Sequence, residues 1–219
     1  MISNSEYCSE LVERIKAAYD KSGNKRGWRL LASPTPVLDK ADVAFIGLHP
    51  GGSIQPPGHA VFAMQSGSAY VVETWGKSTE PGTSRLQIQA QALFEKLRVH
   101  PDQVLAGNLV PFRSPSWERL ENRSYSIHFG EMLWADILTR AQPSLVVGIG
   151  KEILLPLSRI LCASNQQSIP VNWGNVSAVK AGFSGGSLVV LPHLSIFGIV
   201  TRAASADALR AVFGEHWHA

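Results

Sequence analysis

At 219 residues, with 45% hydrophobic and 17% charged side chains, the chain has the make-up of a folded globular protein and not of a disordered segment. A net charge of +3 permits a polyanionic partner without requiring one. Its two cysteines, Cys8 and Cys162, stand far apart and exclude a disulfide framework, a four-cysteine zinc site or an iron–sulfur cluster held by one chain.

Ser5 to Ser22 carries Leu11, Ile15, Ala18 and Tyr19 among charges, the stripe of an amphipathic helix, and Ser3 with Glu6 has capping-box spacing at its start. This start has no basic segment leading into an apolar one, and no apolar run approaches membrane-spanning length. With free thiols, that points to a soluble cytoplasmic protein with no membrane partner. Gly23 to Asp39, basic and then marked by Pro34 and Pro36, reads as a loop.

Val43 to Leu48 is an apolar run suited to a strand buried on both faces, and it stops at His49-Pro50-Gly51-Gly52. Ser53 to Gly82 is long, proline- and glycine-broken, and of the length that functional loops have. Arg85 to Arg98 has helical periodicity, and Val104 to Val110 is a second strand ended by Pro111. Phe129 to Ala141 is predicted to be helical, Leu145 to Ile149 a third strand, and Gly150 to Leu161 a turn and helix. Val176 to Ala181 reads as a strand or extended segment, Ser187 to Leu191 as the fourth core strand, and Ser205 to Phe213 as a closing helix. Strands alternating with helices predict an α/β fold: three α/β/α layers around a central, mostly parallel, four-stranded sheet, in one domain over residues 1–219.

In a parallel sheet the carboxyl ends of the strands share one edge, where ligands bind. His49 follows the first strand, Asn108 lies late in the second, and His193 follows the fourth, so three polar side chains are expected to converge. Competing motifs fail. Gly148-Ile149-Gly150-Lys151 completes neither phosphate-binding pattern, because position 153 is Ile. Gly182-Phe183-Ser184-Gly185-Gly186 has the letters of a nucleophile elbow but leads into a strand instead of following one. The histidines lack the spacing of a zinc hydrolase or deaminase.

From Val43 to Phe213 the chain resembles the uracil-DNA glycosylase superfamily. Gly47-Leu48-His49-Pro50-Gly51 is similar to its first motif, Gly107-Asn108-Leu109-Val110-Pro111-Phe112-Arg113 to its middle segment, and Pro192-His193-Leu194-Ser195 to its second motif. The resemblance implies hydrolysis of the N-glycosidic bond of uracil or another damaged base flipped out of DNA, with neither metal nor cofactor. It places His49 and His193 as catalytic residues and Phe62, Asn108, Pro50 and Gly51 around the base. Ser195, Ile196, Phe197, Arg202 and Arg113, together with Lys77, become candidates for contact with DNA. His49 stands where the family commonly has Asp, Asn or Glu to orient water, and Leu194 replaces a frequent proline. That departure motivates the alternative of a catalytically weak or inactive module that binds a base or DNA; a small-molecule enzyme with a nucleotide-like ligand is a third possibility.

Overall fold

A computed structural model of the chain describes residues 2–218. Among these residues six strands form one sheet: β1 (Val43–Gly47), β2 (Leu105–Asn108), β3 (Leu145–Ile149), β4 (Ser164–Trp173), β5 (Val176–Phe183) and β6 (Gly186–Leu191), in the order β2-β1-β3-β6-β5-β4. The four apolar runs, β2, β1, β3 and β6, pair in parallel, and β5 and β4 extend the sheet antiparallel. The mostly parallel sheet expected from the sequence therefore has six strands and not four.

The added pair has a physical explanation. β4 presents mostly polar, exposed residues and contains Pro170, whose missing N–H suits an edge position and breaks the strand pattern in the sequence. Its ladder with β5 shifts register between Ser164 and Gln167 and again between Pro170 and Trp173; Asn165 and Asn172, inside these intervals, both have left-handed φ. The Gly182–Gly186 segment is the β5–β6 connection with its flanking ends, so it is a hairpin turn and not an elbow.

Side-chain alternation sends each strand into two cores. Ala44, Ile46, Val146, Leu188 and Val190 meet residues of three helices, α1 (Asn4–Ser22), α4 (Arg123–Ala141) and α5 (Leu154–Leu161). Val43, Phe45, Val147, Val189 and Leu191 face the other way, onto α2 (Ala69–Val72), α3 (Arg85–Lys96) and α6 (Ala206–Phe213). At the start of α1 the Ser3 hydroxyl accepts from the Glu6 N–H while the Glu6 carboxylate accepts from the Ser3 N–H, closing the capping box. Among the described residues no helix is long and apolar enough to cross a membrane.

Register fixes what meets at the sheet edge. Gly47 lies beside Asn108, Ile46 beside Gly148, and Ile149 beside Leu191. The residues that come next, Leu48-His49, Gly150 and Pro192-His193, leave the sheet on the same side. The loop after α1 adds a further wall: Arg29 N–H donates to the Pro111 carbonyl and Ala32 N–H to the Ala106 carbonyl, each at 2.7 Å, laying Trp28–Ala32 along the end of β2.

Candidate functional site

A cleft of about 840 Å³ opens at the carboxyl edge of the parallel strands. His49, Pro50 and Gly51 line it from the end of β1, Asn108 and Arg113 from the end of β2, and His193, Ser195 and Ile196 from the end of β6. Eight side chains or turns expected from the sequence thus share one cavity.

The two histidines hold opposite tautomers, and their neighbours dictate this. His49 Nδ1 lies 3.1 Å from the Pro50 carbonyl, which only accepts, so Nδ1 carries the proton and Nε2 keeps its lone pair. The ring stacks against Trp117, with centroids 5.8 Å apart. At His193 the Ser195 backbone N–H donates to Nδ1 at 3.4 Å and Ser195 Oγ lies 2.7 Å from it. A backbone N–H only donates, so Nδ1 is the acceptor and the His193 proton sits on Nε2. Gly150, at φ +95°, turns the chain beside this ring, and a Cβ there would lie 3.6 Å from His193 Cδ2. Burial pushes both pKa values below 6.5, against the opposing hydrogen bond to the Pro50 carbonyl at His49 and the opposing charge of Glu152 at His193.

Both rings are therefore neutral above pH 6.5, one an acceptor at Nε2 and one a donor. Because the unfolded state takes up protons at 6.5 before the folded state does, the fold loses stability as pH falls from 6.5 towards the folded-state values. Long-range proton–nitrogen NMR at neutral pH is expected to show His49 protonated on Nδ1 and His193 on Nε2. The same tautomer at both positions, or an imidazolium at either, would contradict the assignment.

Asn108 ends β2 with no hydrogen-bond partner for its side-chain amide among the described residues, and with its backbone occupied. Its N–H donates to the Leu30 carbonyl at 3.1 Å, and its carbonyl accepts from Trp134 Nε1–H at 2.8 Å. The side chain thus offers one donor group and one acceptor to the cleft. A Cβ at Gly47 would fall 3.0 Å from Asn108 Oδ1, so the glycine leaves room for the amide. Gly47→Ala is expected to displace Asn108 by a few tenths of an ångström. It should weaken any activity that depends on that amide about tenfold while leaving the thermal midpoint nearly unchanged, as small misplacements of reacting groups do.

Two arginines that reach the cleft are almost buried. Arg29 and Glu73, each 6% exposed at the side chain, form a two-pronged ion pair at 2.7 and 2.9 Å, and Arg29 Nε–H also donates to the Leu31 carbonyl. Burial alone would raise the Glu73 carboxyl, but Arg29 and the Trp75 indole N–H, donating at 2.7 Å, together hold it below the ordinary value. Trp75 and Arg29 both line the cleft. Arg113 is 6% exposed and donates from one terminal nitrogen to the Gly51 carbonyl, while its Nε has no partner among the described residues.

Four expected contacts lie elsewhere. Phe62 is absent from the cleft and packs on the core beneath the α1 side of the sheet. Its carbonyl accepts from Leu31 N–H at 2.9 Å and the Val61 carbonyl accepts from Leu30 N–H, which draws the segment onto Trp28–Ala32. Phe197 packs edge-on against Trp173, because the Ile196 and Phe197 N–H groups both donate to the His193 carbonyl; that turn leaves Ile196 59% exposed and Phe197 packed inward. Arg202 lies over the Trp173 ring, and Lys77 is exposed away from the cleft lining. Trp117, Trp75, Tyr70, Arg29 and Glu152 line the cleft without having been expected there. Aromatic and charged residues in the long loops were the available signal, but spacing alone did not single them out. Among the described residues no three His, Cys, Asp or Glu side chains gather into a metal-ligand set.

No family model matches the chain, and no curated protein matches it. Among solved structures, a domain of unknown function (DUF1537) from Bordetella bronchiseptica, crystallised with bound citrate as a domain-swapped dimer, aligns at 14% identity and a TM-score of 0.37. The alignment covers 80% of this chain and 43% of that one, so this chain spans under half of its length. A likeness this distant carries no argument about function.

Proposed function

We propose that the chain is a DNA glycosylase that hydrolyses the N-glycosidic bond of uracil or another damaged base swung out of the helix. The observation that carries this reading is the meeting, in one cleft, of a free Asn108 amide with two neutral histidines of opposite hydrogen-bonding character. Extruding a base costs a few kcal/mol of stacking, which a pocket with aromatic walls offsets. Trp117 and Trp75 supply those walls here.

Each residue has a role that its chemistry supports. Asn108 pairs with the base edge, its N–H₂ to O4 and its carbonyl to N3–H. As the bond from the sugar carbon to the base nitrogen breaks, its electron pair stays with the base, and His193 Nε2–H donates to O2 where charge builds. Water adds to the cationic sugar carbon and gives its proton to the His49 Nε2 lone pair. Pro50 and Gly51 shape the turn beside the base, and Ser195 acts on His193, holding its tautomer. Ile196, at 59% exposure, and Ile54, at 73%, stand at the rim where an apolar side chain fills the space left in the duplex.

A single-turnover assay on single- and double-stranded DNA carrying uracil, hypoxanthine, xanthine or hydroxymethyluracil tests the proposal, with alkali to cut the abasic product. Product from at least one is expected; none from any defeats it. His49 stacked on Trp117, in place of a carboxylate or amide, favours as the second reading a module that binds without cutting. Tight, salt-sensitive DNA binding without base release would select that reading.

A further inference from the structure

Arg113 is shared by two cavities. On its far side lies a second hollow of about 950 Å³, lined by Lys25, Arg26 and Arg119 and by one carboxylate, Glu121. Ile54 also belongs to both cavities, so the hollow continues the candidate base cleft across one wall. Among the described residues none of these four cations has a carboxylate within 4.0 Å. Arg26 donates to the Ser53 carbonyl at 3.0 Å, which fixes it at the rim without neutralising it.

The Nε of Arg113 gives an independent indication. A buried N–H without an acceptor costs free energy, and such a group in a native fold calls for a partner, which a water, an ion or a ligand can supply. Arg113 is 6% exposed, and Nε is one of two buried side-chain polar atoms without a partner among the described residues. Burial and the nearby Arg29 charge lower its pKa against the pull of Glu73, and an anion there would favour the charged guanidinium.

Resting on the glycosylase reading of the neighbouring cleft, we propose that the second hollow is a track for the phosphodiester backbone flanking the extruded nucleotide, on the same DNA strand. Arg113 takes the phosphate at the shared wall, and Lys25, Arg26 and Arg119 take those beyond it. A lone small anion would need only one of these cations; a hollow of about 950 Å³ with four and a single opposing carboxylate suits a chain of charges.

The test is Lys25→Ala/Arg119→Ala in the full chain, both exposed residues outside the base cleft. Fluorescence anisotropy follows binding of a uracil-containing single strand long enough to fill both cavities, and of a trinucleotide, between about 50 and 200 mM salt. The double variant is expected to bind the long strand about tenfold more weakly at the lowest salt, with the log–log salt slope reduced by about 1.4, or 0.7 for each lost contact. Trinucleotide affinity should not change. An unchanged slope for the long strand overturns the track even if the protein releases uracil. A reduced slope in a protein that releases no base supports the track and removes the glycosylase reading. Loss of affinity for both ligands alike, or no binding of the long strand by the native protein, also overturns it.

Discussion

Glu73→Ala is expected to destabilise the protein by about 3–5 kcal/mol, the cost of leaving one member of a buried ion pair alone. Arg29 would keep its charge at 6% exposure with both of its paired N–H groups stripped of their acceptors. The Trp75 indole N–H would lose its 2.7 Å acceptor as well, and His59 Nδ1, 3.4 Å from the same carboxylate, would lose its neighbour. Because Glu73 follows α2 while Arg29 lies beside β2, the pair ties the long loop to the sheet edge. Urea unfolding at neutral pH measures the loss. Arg29→Met/Glu73→Leu, which removes both charges and keeps apolar volume, should recover most of it. A single variant that loses less than about 1 kcal/mol, or a double variant no better than the single one, would show that the pair does not hold the loop.

The same carboxylate sets an acid limit. Its folded-state pKa is below the ordinary 4.5, so its contribution is fully present above that value and is lost as pH falls through the folded-state pKa. The wild-type unfolding midpoint should therefore fall more steeply below pH 4.5 than that of the double variant.

On the proposed glycosylase reading, His193→Ala is expected to lower single-turnover base release by about 10²–10³-fold, the scale of one lost donor to a developing oxyanion. Two groups of Ser195 hold the imidazole, so Ser195→Ala, which keeps the backbone N–H, should cost much less. Asn108→Ala should lower the rate by at least about tenfold through lost base pairing in the transition state. Rates measured with saturating enzyme separate these effects from DNA affinity. Unchanged rates in folded His193→Ala and Asn108→Ala proteins would remove both residues from the reaction.

The parallel strands were legible because short runs without a polar residue mark strands buried on both faces, as in Leu145–Ile149. The placement of His49, Asn108 and His193 followed from strand ends alone, since parallel register leaves them one edge to share. β4 was hidden because a solvent-facing strand with Pro170 in it has no apolar alternation to read. Phe62 misled for a related reason: position along a loop does not say which way a ring turns, and its backbone pairing with Leu31 decides that. Arg29 and Glu73 meet across 44 positions of sequence, so no local pattern announces them. Trp117 lies in a short 3-10 turn after Pro115, and only the fold brings it over His49.

The outermost strand bears on how copies of this chain behave at high concentration. A free β edge is a template on which another molecule can lay its own strand, the first step towards aggregation. β4 blunts that template: Pro170 offers no N–H, and the register shifts on either side of it interrupt the run of outward-facing backbone groups. The features that conceal this strand in the sequence are therefore the ones that keep the exposed flank of the sheet from recruiting its neighbours.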